Sequence, residues 1–270
     1  MAVLLCMLFT GLVMTPASTQ LVSSTPLTIG ETFTVSSRAL AESRRINVYV
    51  PPIYSASSDL RLPVLYMPDG GVADDFVHVA GLLQVSIANG TMRPFILVGI
   101  ENTERRRDMT GPTRSDDDRK IAPRVGGSGA FRAFIRTELM PAVRERYRTT
   151  AETAIVGESL AGLFVVETLL REPDLFDTYI AFDPSLWWDN AALVERAARM
   201  LRERPVAKKR LYLASSNEPA LVDLVGRFAA VLAKGVAPGL TWTYRPMPDE
   251  THATIYHPAA LRAFRELFRP

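Results

Sequence analysis

Hydrophobic and polar residues alternate with a period of two at the start of the chain, in Glu31-Thr-Phe-Thr-Val-Ser-Ser-Arg38 and again in Arg45-Ile-Asn-Val-Tyr-Val50. Both stretches predict half-buried antiparallel strands. Then the pattern changes. Short, mostly apolar runs at Pro63–Met67, Phe95–Ile100 and Thr153–Val156 read as buried strands, and Thr178–Phe182, Arg210–Ala214 and Leu240–Tyr244 read as further strands. Between them, apolar residues recur at helical spacing over 75–89, 131–147, 160–170, 191–204, 220–234 and 258–268. Pro141 falls inside the second of these and predicts a kink. Residues 101–128 show neither period; they predict a long polar loop, which in a compact domain is functional or mobile.

Strands alternating with helices from residue 63 onward predict a mostly parallel twisted sheet with helices on both faces, led by an antiparallel edge. That is an α/β layout, and 20–270 is expected to form it as one domain. The chain has 270 residues, 47% hydrophobic, and a net charge of only +2, so the core is ample and no electrostatic pull toward nucleic acid is expected. Residues 2–14 are uncharged and almost wholly apolar, then Thr15-Pro-Ala-Ser-Thr-Gln20 turns small and polar. An apolar run of about 13 residues is short of the roughly 20 needed to span a bilayer, so 1–19 reads as an export signal. Export to the periplasm or outside the cell is expected, with no stable membrane insertion once the signal is gone. The single cysteine, Cys6, lies inside that leader, which removes disulfides, thiolate catalysis and Cys-ligated metal from the mature chain.

The chemistry centres on Gly157-Glu-Ser-Leu-Ala-Gly162, placed between an apolar strand and a helix. A serine at such a strand-to-helix corner has the G-x-S-x-G form, here with Ala161 in the last place and Gly162 displaced by one. The corner holds Oγ clear of the sheet, above a helix N-terminus with free backbone N–H groups. If Ser159 is a nucleophile, a base should follow the last strand. His252 lies there, in Pro246-Met-Pro-Asp-Glu-Thr-His-Ala253; His257, beside Pro258, reads as a cap or surface residue and His78 as structural. The orienting acid should follow the strand at 210–214, which makes Glu218 the leading candidate, with Asp183, Asp223 or an acid-free Ser–His dyad as alternatives. Two oxyanion donors are needed: the Leu160 N–H, and one from Gly70-Gly71 after the strand at 63–67.

Leu65-Tyr-Met-Pro-Asp-Gly70, Val98-Gly-Ile-Glu-Asn-Thr-Glu-Arg-Arg-Arg-Asp-Met-Thr110, Gly157-Glu-Ser-Leu-Ala-Gly-Leu-Phe164 and Asp183-Pro-Ser-Leu-Trp-Trp-Asp189, in this order, resemble the Putative esterase family of α/β-hydrolases. That family includes the enterochelin- and bacillibactin-type siderophore esterases and the esterase D relatives. The resemblance implies an α/β-hydrolase fold and hydrolysis of small-molecule carboxylic esters by Ser159 and His252, with no metal or organic cofactor. It also implies that Trp187 and Trp188 lie near the site mouth, where they would stack on flat acyl groups. Arg107, in Arg105-Arg-Arg107, would attract an anionic substrate such as a ferric catecholate; a solvated loop is the plainer reading. Ala161 and Asp183 depart from the family pattern, where Gly and Ser are commoner. An acyltransferase on the same scaffold and a non-catalytic binding protein are the other two readings, and oligomeric state is left open.

Overall fold

A computed structural model describes residues 23–204 and 206–270; the expected export signal lies outside them. The eight strands are β1 (Glu31–Ser37), β2 (Glu42–Tyr49), β3 (Leu62–Met67), β4 (Ile96–Ile100), β5 (Thr149–Glu158), β6 (Thr178–Phe182), β7 (Lys209–Ser215) and β8 (Leu240–Pro246). They form one sheet in the order β1-β2-β4-β3-β5-β6-β7-β8. β1, β2 and β4 pair antiparallel, and every pair from β4 to β8 is parallel. This is the expected α/β-hydrolase layout with its antiparallel leading edge.

The helices are α1 (Phe76–Ala88), α2 (Arg105–Met109), α3 (Asp116–Lys120), α4 (Ser128–Phe134), α5 (Met140–Arg146), α6 (Leu160–Arg171), α7 (Trp188–Glu203), α8 (Pro219–Ala233) and α9 (Tyr256–Leu267). They divide the core in two. One apolar cluster joins α4 to α8 to one face of the sheet through Tyr66, Phe131, Phe164 and Phe228; the other joins α1 and α9 to the opposite face through Leu65, Phe95, Phe182 and Phe264. β3, β4 and β6 are buried along their whole length, which is why they read as continuous apolar runs and not as alternating ones.

Three elements differ from their sequence pattern. The helix predicted over 131–147 is interrupted by a π-turn at Ile135–Leu139, in which the Met140 N–H reaches back to the Ile135 carbonyl. Pro141 follows at once; having no N–H, it cannot continue the ordinary ladder, and the wide turn absorbs the mismatch. The predicted loop 101–128 contains α2 and α3 and is held by ion pairs. Arg44, buried to 1% exposure, pairs with Asp108 and with Glu42 at 2.8 Å, and lies over the Phe131 ring. Finally, α7 begins at Trp188, three residues early, because Asp189, Asn190 and Ala191 form a left-handed turn (φ 52°, 53° and 60°). Asp189 is fixed there by its N–H to Asp118 Oδ2 (2.8 Å) and by its own Oδ1, which accepts from the Arg114 N–H (2.7 Å).

Candidate active site

Ser159 joins β5 to α6 with φ 60° and ψ −121°, a conformation rare for a residue with a side chain. Its neighbours make the corner possible. A Cβ on Gly157 would lie 2.7 Å from the Ala161 Cβ, and one on Gly162 would lie 2.9 Å from the Phe182 carbonyl oxygen. The displaced glycine thus has its own role: it lets α6 descend onto the end of β6, while Ala161 fits because Gly157 has no side chain. The corner is pinned by the Ser159 N–H to Phe182 O (3.0 Å) and by the Ser159 carbonyl, which accepts from Ser185 N (3.0 Å) and Leu163 N (2.9 Å).

His252 approaches from the loop between β8 and α9. That loop is tied to the end of β7 by Met247 N–H to Ser215 O (2.7 Å) and Asn217 N–H to Glu250 O (2.8 Å). Its Nε2 lies 3.2 Å from Ser159 Oγ and its Nδ1 lies 3.0 Å from Asp183 Oδ2. With Nδ1–H donating to the carboxylate, Nε2 is left as the acceptor facing the hydroxyl, the tautomer a base on Ser159 needs. The bond from Asp183 is the main cause of a His252 pKa above the ordinary histidine value; burial opposes it and the nearby Glu158 adds to it.

The carboxylate hydrogen-bonded to His252 Nδ1 is that of Asp183 and not that of Glu218. Asp183 continues β6 by one step, its N–H donating to Ala214 O (2.9 Å), and then turns with φ 40°. Its side chain is fully buried, and its second oxygen accepts from Ser216 N (2.7 Å), a bond suited to an ionised carboxylate. Glu218 caps α8 two residues farther along than Ser216; its carboxylate is exposed and it lines a cavity with Ser159, Ser185, Trp187, Ala220, Leu221 and His252. Asp223 sits on α8 in a surface pair with Arg227. The carboxylate that meets His252 thus follows β6, one strand earlier than the chain-order argument placed it.

The N–H groups of the two oxyanion candidates from the first loop go to different acceptors. The Gly70 N–H donates to Ile100 O (3.0 Å) and so is committed to the sheet. A Cβ there would lie 2.3 Å from the Gly99 backbone, so this glycine serves close strand packing. The Gly71 N–H donates to the Asp74 carboxylate, whereas Leu160, as the first residue of α6, has no intrahelical acceptor. Asp69, in a left-handed conformation (φ 57°), steers this loop by accepting from Arg105 Nε (2.7 Å) and Nη2 (2.8 Å) and from Asn102 Nδ2 (2.5 Å).

Of the tryptophans, Trp187 is 40% exposed on the Ser159 cavity, whereas Trp188 is buried with its Nε1–H on Gly111 O (2.8 Å). Trp188 is a packing residue that fastens the 101–128 segment. Arg107 is also structural: it pairs with Glu42 (2.8 Å), Asp108 (2.7 Å) and Glu104 (3.3 Å), away from Ser159. Sequence reasoning did not single out Glu158 and Ser185. Glu158 Oε1 stands 3.2 Å from His252 Nδ1, and Ser185 Oγ stands 3.5 Å from Ser159 Oγ. Their positions next to motif residues were the only signal. Glu158, Asp183 and His252 also bring ligand-type atoms within 4.8 Å of one another, the spacing a cation would need. A cation on Nδ1 would take the place Asp183 holds, so these residues fit a hydrogen-bonded relay better than a metal site.

Several known proteins share this arrangement of chain. An IroE-like serine hydrolase from Shewanella oneidensis superposes with a TM-score of 0.80 at 31% identity, over 88% of this chain and 80% of that one. The BES protein of Bacillus cereus has the same fold, with a TM-score of 0.78 at 21% identity over 90% and 97%. The ferri-bacillibactin esterase BesA of Bacillus subtilis is 30% identical over 172 residues, 57% of this chain and 58% of that protein. The chain thus spans less than two thirds of the length of that curated relative. The model of the Putative esterase family matches residues 37–229, and the chain belongs to that family.

Proposed function

We propose that the protein is a serine carboxylic-ester hydrolase that works through an acyl-enzyme on Ser159. The observation that carries this reading is the unbroken chain of contacts from Ser159 Oγ through His252 to Asp183, built on a corner whose backbone is held in a rare conformation. Ser159 Oγ attacks the ester carbonyl carbon while its proton passes to His252 Nε2. The tetrahedral oxygen gains the C=O electron pair and lies before the Leu160 N–H at the start of α6. Collapse expels the alcohol, which takes the proton from His252; water then repeats the sequence on the acyl-enzyme and frees the acid. Asp183 keeps its charge throughout and holds the imidazolium.

The substrate is a small-molecule ester. Likeness to a protein named as a ferri-bacillibactin esterase supports siderophore-type esters. The cavity beside Ser159 refines this: its walls are Trp187, Ala220 and Leu221, and its one carboxylate is Glu218, while Arg105 and Arg107 are spent on Asp69, Glu42 and Asp108. Such a lining favours neutral esters with a flat or apolar acyl group over a negatively charged ferric complex. Export through the 1–19 leader is part of the same proposal; no helix among the described residues is long and apolar enough to cross a membrane.

The test is hydrolysis of p-nitrophenyl acetate by the wild type and by Ser159→Ala, with a fluorophosphonate probe to label the serine. Loss of activity and of labelling is expected; equal rates in the two proteins would end the reading. Rates on an iron-free catecholate trilactone should exceed those on its ferric complex.

A further inference from the structure

Glu158 ends β5 immediately before the candidate nucleophile, with a side chain only 16% exposed. Its Oε1 lies 3.2 Å from His252 Nδ1, the nitrogen that also faces Asp183 Oδ2 at 3.0 Å, and that oxygen is buried without a hydrogen bond among the described residues. A neutral imidazole has one proton on Nδ1, and Asp183 has the better geometry for it. An apolar side chain or an amide would fill the same space without the cost of burying a carboxylate. The charged and titratable groups that act on Glu158 come from several elements: His252 from the β8–α9 loop, Arg105 from α2, Asp183 from the end of β6, Asp75 before α1, and the buried Tyr256 hydroxyl of α9.

We infer that Glu158 is a positioning residue of the relay: a second carboxylate that shares the Nδ1 side of His252 with Asp183 and steadies the imidazolium formed when Ser159 loses its proton. The kinetic part of this rests on Ser159 being the nucleophile; the effect on His252 does not. The proton moves from Ser159 Oγ to His252 Nε2, neither carboxylate gains one, and the positive ring is flanked by two negative groups where a simple triad has one. Burial pushes Glu158 up to about 7, against the pull of His252 and Arg105, so this second charge is withdrawn as the solution turns acidic. Activity then falls with pH for two linked reasons, protonation of the base and neutralisation of its neighbour, and the pair titrates as one unit.

The decisive experiment follows the His252 ring proton by NMR through a pH titration of the resting protein, in wild type and Glu158→Gln; the chain has only three histidines. The His252 midpoint should fall by roughly one pH unit in the variant. The acid limb of kcat/KM on p-nitrophenyl acetate should move down with it, with kcat reduced about tenfold and KM within about twofold. Glu158→Asp keeps the charge but withdraws it by one methylene; it should fall between the two and supplies the measurement if the glutamine variant does not fold. Adding Glu158→Gln to Asp183→Asn should cost at least about another tenfold, because Glu158 is then the only carboxylate left on Nδ1. An unchanged His252 midpoint, or a double variant no slower than Asp183→Asn, would overturn the inference. Full activity in Ser159→Ala would instead remove the nucleophile while leaving the titration intact, so the two failures are distinguishable.

Discussion

Two parts of this molecule are dense in charge, and they use it in opposite ways. Around the 101–128 segment several arginines are matched to carboxylates: Arg44 of β2 and Arg107 share Asp108 and Glu42, and Arg105 grips Asp69 through two nitrogens. At the Ser159 corner the balance is left open, with two carboxylates converging on one imidazole and one carboxylate oxygen without a donor. Matched buried charges fasten a polar segment to the sheet. The converging pair at the corner is the arrangement a proton relay on Ser159 would use. Charge density alone would have ranked the arginine-rich segment first, whereas the sign balance separates the two regions: cations meet carboxylates in one, and two carboxylates meet a single imidazole in the other.

The contrast can be broken at either end. Asp183→Asn, which removes the charge on His252 and presents the wrong hydrogen-bonding pattern to Nδ1, should lower kcat/KM by about 10²- to 10⁴-fold with little change in melting temperature. In the matched region the result should invert. Arg44→Met takes one of its two arginine partners from buried Asp108, leaving Arg107, and should cost about 3 kcal/mol in urea-induced unfolding, while specific activity of the folded fraction stays within about twofold.

A smaller effect separates Glu158 from every paired carboxylate. Its carboxyl has an ordinary value near 4.5 and is raised to about 7 in the folded protein, chiefly by burial. The folded state therefore binds an extra proton between those values, and stability falls as pH rises through that window. Glu158→Gln should flatten that fall by on the order of 2 kcal/mol, read as the difference in unfolding free energy between pH 5 and pH 8. The smallest effect belongs to Glu218, exposed on the cavity wall: Glu218→Gln should change the rate on a neutral aryl ester by less than about threefold. A loss as large as that of Asp183→Asn would return Glu218 to the relay.

Much of the fold was legible because it is written locally. β3, β4 and β6 are short apolar runs closed by turn residues, and the first two strands alternate with period two. Ser159 stood out for the same reason, since a small–x–Ser–x–small corner is a property of five adjacent residues, Gly157 to Ala161. His252 could be located by its place after the final strand. The acid could not, because chain order constrains which loop supplies it only loosely. Asp183 reaches His252 through one extra backbone hydrogen bond beyond β6, which no local pattern announces. The long polar segment misled for a related reason: α2 is held by partners about 60 residues earlier, Arg44 for Asp108 and Glu42 for Arg107, and α3 by the Asp189 N–H, 71 residues after Asp118.

The strand order has a consequence for how the protein should lose activity on warming. Ser159 and Asp183 end β5 and β6, which are bordered by strands on both sides, but His252 hangs from β8, the last strand of the sheet. β8 pairs with β7 alone, and most of its residues are partly or fully exposed. Opening of that edge needs few broken contacts, so it belongs to the low free-energy end of local fluctuations. The proton acceptor would leave with it while the nucleophile stayed in a closed core. Hydrolytic rate should therefore decline several degrees below the loss of ellipticity, and amide hydrogens of β8 should exchange well before those of β5 and β6.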